Sequence, residues 1–223
     1  RAGDVKYFDY NEDGDISDAD RMNVGKAIPD FYGGITSNFS YKGFDLSLFG
    51  QFSVGGKVMS AWRGVNGSEG TDHLGLALSN VKVNDRGESV EQYFNVSKEV
   101  ANGYWRGEGT SNTIPRPVRI GAHTGYDYDY NVQTSTRYLE DASYFKLKTV
   151  TLGYTLPESV VKKLRMNSLR VYVSADNLLT LTKYSGYDPE TSFSGSPGDS
   201  NYGVDFGLQP VLRTFIFGLN LNF

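Results

Sequence analysis

Apolar and polar side chains alternate over the last part of the chain, residues 211–223. Successive side chains of a β-strand point to opposite faces, so one face of a strand here would be apolar throughout. Its members are Phe215, Phe217, Leu219, Leu221 and Phe223. Such alternation over about ten residues is typical of a transmembrane β-barrel strand. A half-buried strand of a soluble β-sandwich would show the same pattern.

The same period of two recurs in four earlier stretches, which the pattern predicts to be strands. They are residues 34–41, 44–54, 144–156 and 169–179. Lys42-Gly43, between the first two stretches, predicts a tight antiparallel hairpin. Residues 158–164, between the last two, are predicted to form a short helical turn after Pro157. The chain is therefore predicted to be all-β and antiparallel.

Two long connections separate these strands. Residues 55–141 and 184–207 lack regular alternation and are rich in loop-forming residues. Within the first, residues 89–100 are predicted to form a short helix that Asn102-Gly103 ends. Short connections and the C-terminus would lie at one end of a sheet, and the long connections at the other. Outer-membrane barrels show this asymmetry between periplasmic turns and extracellular loops.

Composition agrees with a barrel and argues against several other classes of protein. Mean hydropathy is −0.42 and no run of about eighteen apolar residues exists, so no membrane helix is predicted. The 16 Tyr, 13 Phe and 26 Gly residues would supply aromatic girdles and glycine-rich hairpins. A net charge of −4 offers no basic surface to nucleic acid. With no Cys and only 2 His, the chain is predicted not to be an enzyme.

An acidic loop near the start of the chain, residues 9–20, has the spacing of a calcium-binding loop. Carboxylate, amide and carbonyl oxygens at these positions would converge on a hard cation, and Gly14 would permit the sharp turn. The predicted ligands of a structural Ca²⁺ ion are Asp9, Asn11, Asp13, Asp15 through its backbone carbonyl, and Asp20.

Two features of this loop depart from an EF-hand. Asp20 stands where a bidentate Glu is usual, and residues 5–8 before the loop look like a strand rather than a helix. The alternative is a solvated acidic turn, because Asp, Asn and Gly are common in turns of every kind.

Aromatic residues are frequent in the long central connection. Trp62, Tyr104 and Trp105 are candidate substrate contacts, because rings on extracellular loops can stack on sugar faces or clamp peptides. They could equally form the loop's own small core. The tyrosines of residues 126–130 alternate with aspartates and could simply form a strand.

Several stretches of this sequence, in their order and spacing, resemble the C-terminal portion of SusC-like TonB-dependent outer-membrane transporters. They are residues 3–7, 28–34, 41–47, 114–116, 138–139, 143–148, 152–157 and 175–178. The terminal Phe223 also resembles the signal that barrel-assembly machinery reads. The resemblance covers most of the chain.

This resemblance implies the C-terminal strands of a transmembrane β-barrel of about 22 strands that encloses an N-terminal plug. It implies the outer membrane of a Gram-negative cell, with long loops extracellular and the C-terminus periplasmic. The implied activity is import of glycans (oligosaccharides), with a SusD-like surface lipoprotein as partner. The TonB complex would act through an N-terminal part that this sequence does not contain. Peptide import is the alternative within the family.

On this interpretation the chain has four parts. Residues 1–33 would be an extracellular loop with the acidic motif, and residues 34–55 a barrel hairpin. Residues 56–141 would be a long extracellular region with a short helix, and residues 142–223 the C-terminal strands. About five or six strands cannot close a barrel, and each unpaired backbone group in lipid costs several kcal/mol. The chain is therefore expected to be a piece of a longer protein.

Two other classes of protein make different predictions. A soluble, calcium-stabilised, glycan-binding β-sandwich would bury Phe215, Phe217 and Leu219 in its core. A small complete barrel that acts as an adhesin would need about eight strands within this sequence.

Overall fold

The structure, a computed structural model, describes residues 2–61, 63, 77–83, 86, 88–93, 97–120, 131, 134–190 and 202–223. The chain divides into two compact units. One unit comprises Arg1–Gly25, Met59–Leu139 and Val204–Gly207, and the other comprises Lys26–Val58, Glu140–Gly203 and Leu208–Phe223.

Strands dominate both units. The strands are β1 (Phe31–Tyr41), β2 (Phe44–Val54), β3 (Lys57–Ser60), β4 (Ala77–Val83), β5 (Ser89–Tyr93), β6 (Val118–Ile120), β7 (Leu139–Asp141), β8 (Tyr144–Thr155), β9 (Ser168–Thr182), β10 (Val204–Asp205) and β11 (Thr214–Asn222). The helices are α1 (Lys98–Gly103) and α2 (Glu158–Val161), with 3-10 turns at Asp18–Asp20, Thr136–Tyr138 and Lys162–Leu164. In the described part of the chain, no helix has the length and apolar character needed to cross a membrane.

Five strands form one antiparallel sheet in the order β1-β2-β8-β9-β11. Residues that pair directly in antiparallel strands share a face of the sheet. One row of directly paired residues therefore crosses the whole sheet on a single face. The row runs through Phe39, Leu46, Leu152, Val173 and Phe217. The alternation seen in the sequence thus becomes one continuous apolar face.

The hairpin predicted at Lys42-Gly43 is confirmed. Tyr41 pairs with Phe44, and the two turn residues have φ angles of 46° and 87°. Two positive φ angles give the tight turn whose twist matches that of antiparallel strands. A Cβ atom at Gly43 would lie 2.8 Å from the carbonyl oxygen of Thr155. Glycine is therefore required here by both conformation and space.

The helical turn predicted between β8 and β9 is also confirmed, as α2 and the 3-10 turn that follows it. Both short connections lie at the same end of the sheet as the end of β11. The Thr155 N–H donates to the Gly43 carbonyl at 2.8 Å, and the Asn167 N–H donates to the Asn222 carbonyl at 2.7 Å. We call this end of the sheet, residues 40–45, 153–170 and 220–223, the turn end.

The terminal strand is shorter than the sequence pattern predicts. Alternation begins at residue 211, whereas β11 begins at Thr214, which pairs with Asp176. Just beyond this pair, Asn177 has a φ of 53° and its side chain donates to the Leu212 carbonyl at 3.1 Å. The side chain of Asn177 therefore bonds the backbone that a longer strand would have paired.

The apolar face of this sheet is exposed in the chain. Phe215, Phe217 and Leu219 are 57%, 81% and 65% exposed, and aromatic side chains on β1 are exposed as well. A soluble sandwich requires these three residues in a core, so the structure disagrees with that alternative. β1 and β11 each pair with one neighbour among the described strands, so these strands do not form a small closed barrel.

The helix predicted over residues 89–100 is wrong in its first half. Ser89–Tyr93 is β5, which pairs antiparallel with β4. α1 begins only after Ser97, whose Oγ accepts a hydrogen bond from the Val100 N–H at 3.2 Å, and it ends at Gly103 as predicted. Pairing with β4, the strand directly before it in the chain, outweighed the helical pattern.

Candidate functional site

Asp20 connects the end of the acidic loop to its beginning. One carboxylate oxygen accepts a hydrogen bond from the Ser17 N–H at 2.7 Å, and the other accepts one from the Tyr10 N–H at 2.8 Å. The bond from Ser17, followed by that from Tyr10, lowers the pKa of Asp20, because both stabilise the charged form. Asp20 therefore holds the loop closed through backbone amides.

The middle of the loop turns at Gly14, as the sequence predicts. Gly14 has a φ of 85°, and its N–H donates to Asp9 at 2.8 Å. Asp13 accepts hydrogen bonds from the Asn11 side chain at 2.7 Å and from the Asp15 N–H at 2.8 Å. The predicted ligands thus bond to one another and to the amides of their own loop.

Two observations bear on the predicted calcium site, and they point in opposite directions. One carboxylate oxygen of Asp9 is shielded from solvent and has no hydrogen-bond partner, which is what a ligand position would show. Within the described ranges, however, no three His, Asp or Glu side chains lie close enough together to hold a metal ion. Coordination would require Asp13 and Asp20 to exchange amide partners for the ion.

A buried polar cluster fixes the segment that precedes the acidic loop. The Asn131 side chain accepts from the Val5 N–H at 2.8 Å, and it donates to Asp4 at 2.8 Å and to the Arg116 carbonyl at 3.0 Å. The Arg116 guanidinium pairs with Asp4 at 2.7 Å. Burial raises the pKa of Asp4, and hydrogen bonds from Arg116 and Asn131 act in the opposite direction because they stabilise the charged form.

Two of the three candidate aromatic residues lie within the described residues. The Trp105 ring packs against the backbone of Gly3, where it fills the space that a side chain would occupy. The guanidinium carbon of Arg106 lies 4.5 Å from the centroid of the Tyr104 ring. Trp62 lies outside the described residues. Tyr104 and Trp105 are therefore neighbours, and each already has a packing partner within the chain.

The polar face of the five-stranded sheet carries contacts that connect four strands. Asp45 on β2 accepts two hydrogen bonds from Arg170 on β9, one from Nε at 2.9 Å and one from a terminal guanidinium nitrogen at 2.5 Å. This pair crosses over Gly153 on β8, where a side chain would collide with both. The Arg170 guanidinium lies 5.0 Å from the centroid of Tyr172, whose ring covers Gly218 on β11. Both glycines are required by this close approach.

An ionic cluster lies near the opposite end of the same face. Lys146 on β8 is only 2% exposed and pairs with Asp188 and, at 2.8 Å, with Glu190. Lys148 forms a second ion pair with Glu190. Both lysines reach the same carboxylate because the register of β8 shifts at this point.

The ionic cluster contains two lysines and two carboxylates, so its charges balance. Burial raises the pKa of Glu190, but hydrogen bonds from Lys146 and Lys148 outweigh it and lower the pKa overall. Asp188 and Glu190 follow β9 at the start of the second long connection, which they fix to the sheet. The sequence contained two lysines in an alternating strand, but nothing in it identified their partners.

The sequence of the chain is similar to those of known TonB-dependent receptors. It is 33% identical over 225 residues to TonB-dependent receptor P3 of Formosa agariphila, a match that covers 99% of this chain. It is 26% identical over 219 residues to TonB-dependent receptor SusC of Bacteroides thetaiotaomicron, covering 97% of this chain. The resemblance to SusC-like TonB-dependent receptors is confirmed. These relatives are named as receptors, in agreement with the prediction that the chain is not an enzyme.

Solved structures of a transporter have a similar fold. A structure of the RagAB peptide transporter matches 89% of this chain with a TM-score of 0.62 at 23% identity. The same importer in its open-open state matches 94% of the chain with a TM-score of 0.58 at 22% identity. At this identity the likeness establishes the fold alone. No family model matches the chain.

The chain is much shorter than the SusC-like receptors that it matches. It spans 19% of receptor P3 and 17% of SusC. It spans 18% of the matched chain in the RagAB structure. Activity, substrate and partners of a complete protein are therefore matters of proposal.

The ionic cluster makes a prediction about stability. In the full-length protein, Lys146→Met should lower the free energy of unfolding by about 3–5 kcal/mol, because it removes the lysine from a buried ion pair with Asp188. Unfolding by urea in detergent measures this change. Lys162→Met is the matched control, since it removes an exposed ion pair with Glu158 and should cost roughly 0.3–0.5 kcal/mol. Equal losses in the two variants would show that the cluster is not a special contact.

Proposed function

We propose that the chain forms part of the wall of an outer-membrane TonB-dependent transporter that imports glycans (oligosaccharides). The exposed apolar face of the five-stranded sheet carries this proposal. In water such a face is unfavourable, because each Å² of exposed apolar surface costs about 25 cal/mol. In a barrel this face contacts lipid, and the opposite face, with its ion pairs, lines the lumen.

The remainder of the protein completes the barrel. β1 and β11 are the edges of the sheet in the described part of the chain. An open edge in lipid leaves backbone N–H and C=O groups unpaired, so a membrane protein must close its sheet. The larger part of the protein, outside this chain, supplies those strands in a barrel of about 22.

The arrangement of connections determines the proposed orientation. The turn end has two short connections and the end of β11, and it faces the periplasm. The long connections at the other end face the cell exterior, as in other outer-membrane barrels. Trp62, Tyr104 and Trp105, which belong to the first long connection, contact the substrate. A SusD-like surface lipoprotein is the partner that helps to hold it. The TonB complex drives uptake through the N-terminal part of the complete protein.

Peptide import is the second candidate function. The fold is that of structures named as the RagAB peptide transporter, with TM-scores of 0.62 and 0.58. The similarity to receptors named SusC and P3 supports the same kind of importer without naming a substrate. Aromatic side chains serve both substrates, because sugar and peptide each offer surfaces that a ring can cover.

Calcium in the acidic loop is a separate proposal. The spacing of Asp9, Asn11, Asp13, Asp15 and Asp20 and the unpartnered oxygen of Asp9 support it. The ion would be structural, because every position of the loop would be filled by a ligand of the chain.

Charge on the two faces of β11 tests the membrane assignment. In the full-length protein, Phe217→Arg should cost roughly 2–4 kcal/mol of stability in lipid vesicles, because it places a charge on the lipid face. Thr214→Arg on the polar face of the same strand, directly opposite Asp176, is the control and should cost little. Urea titration of refolded protein measures both. Full-length protein that stays soluble without detergent, with equal effects of the two variants, would contradict the proposal.

Binding to the purified complex tests the substrate class. The full-length protein, with the lipoprotein that co-purifies with it, should bind oligosaccharides in calorimetry and not peptides of similar mass. Tyr104→Ala and Trp62→Ala should each weaken binding roughly threefold to tenfold through loss of ring contacts. Tyr41→Ala, at the turn end, is the control and should leave affinity unchanged. Binding of peptides alone would favour the second candidate function.

Terbium luminescence tests the calcium proposal directly, because Tb³⁺ occupies calcium sites. Asp9→Asn should weaken binding about tenfold, since the affinity of such loops follows the number of charged ligands. Asp18→Asn lies in the same loop, outside the predicted ligand set, and is the control. Equal Tb³⁺ affinity of the Asp9→Asn and Asp18→Asn variants would contradict the calcium proposal. Absence of Tb³⁺ binding by the wild-type protein would also favour a solvated turn.

A further inference from the structure

Basic residues are concentrated at the turn end of the five-stranded sheet. In the described part of this unit, the turn end has five basic and two acidic residues, and the opposite end has six of each. The turn-end residues are Lys42, Lys162, Lys163, Arg165 and Arg170, with Asp45 and Glu158. The charge of the sheet is therefore positive at one end and balanced at the other.

Both acidic residues of the turn end are already paired. Asp45 pairs with Arg170, and Glu158 pairs with Lys162 at 2.8 Å. Within the ranges that the structure describes, no carboxylate forms an ion pair with Lys42, Lys163 or Arg165. These three side chains are exposed and keep their charge available to an anionic partner. We call them the basic rim.

Lys42 lies at the border of the apolar face. Its Nζ atom is 5.1 Å from the centroid of Tyr41, whose ring is largely exposed on that face. The ring of Phe44, which pairs with Tyr41, lies 4.4 Å from that of Tyr154. A positive charge beside a group of exposed rings is the arrangement that suits a membrane interface, where aromatic side chains meet the headgroups.

Lys163 and Arg165 are held close to the same border. They lie in the connection between β8 and β9, which leaves the apolar face after Tyr154 and returns to it at Leu169. The buried side chain of Val161 anchors this connection, and the Met166 N–H donates to the Val161 carbonyl at 3.1 Å. The connection is thus a fixed support for the two charges.

We infer that the basic rim binds the phosphate groups of anionic phospholipids in the leaflet that the turn end faces. This inference rests on the proposed membrane function and adds a lipid class to it. The basic rim complements the negative phosphate of a lipid headgroup, and the apolar face beside it complements the acyl chains. The matched charges of the opposite end offer no comparable site. Salt should weaken the interaction, because the rim is exposed.

The test uses the full-length protein in nanodiscs of equal parts phosphatidylcholine and phosphatidylglycerol with identical acyl chains. Native mass spectrometry counts the phosphatidylglycerol molecules that stay bound after release. The variant Lys42→Gln/Lys163→Gln/Arg165→Gln should lower affinity for phosphatidylglycerol about fivefold for each residue that contacts phosphate. The variant Lys26→Gln/Lys183→Gln/Arg213→Gln removes three charges from the opposite end and should retain wild-type binding.

Each outcome decides between explanations. Loss in the turn-end variant alone supports the inference. Equal retention by both variants, or equal loss, overturns it and leaves the basic rim as a solvated surface. If the turn-end variant folds poorly, Lys42→Arg/Lys163→Arg/Arg165→Lys should restore phosphatidylglycerol binding, and failure to do so counts against the inference. Protease digestion measures insertion into nanodiscs independently of lipid binding. Wild-type protein that does not insert would contradict the proposed membrane function itself.

Discussion

The structure depends on one constraint: the strands of the main sheet share one face of apolar side chains, much of which the described part of the chain leaves exposed. Phe39, Leu46, Leu152, Val173 and Phe217 align across five strands through backbone pairing alone. A soluble protein would bury such a row, because exposed apolar surface is unfavourable in water. In lipid an exposed apolar face is favourable, whereas unpaired backbone N–H and C=O groups are costly. The strands must therefore all be paired.

The polar face supplies the specific contacts that hold neighbouring strands in register. Asp45 and Arg170 reach each other only because Gly153 lies between them, and Tyr172 covers Gly218 in the same way. In the proposed barrel, this polar face would be the one turned towards the lumen. The ionic cluster around Lys146 has a different role, because it fixes the beginning of the second long connection to the sheet.

Two ends of one sheet therefore have different chemistry. At the turn end, short connections bring basic residues and aromatic rings to the border of the apolar face. At the opposite end, the balanced ionic cluster attaches the beginning of the second long connection to the sheet. In the proposed orientation, the turn end faces the periplasm and the long connections face the cell exterior.

The strands of the main sheet, the hairpin and the helical turn were predictable from the sequence, because side-chain period and turn chemistry are local properties. The resemblance to SusC-like receptors was visible in the order and spacing of short motifs. The first half of the helix predicted over residues 89–100 was wrong, because residues 89–93 pair with β4, a strand that the sequence pattern did not predict. The cluster of Asp4, Arg116 and Asn131 and that of Lys146 with Asp188 and Glu190 were also missed. Their members lie far apart in sequence and meet only when the backbone has folded, so tertiary structure alone decided these contacts.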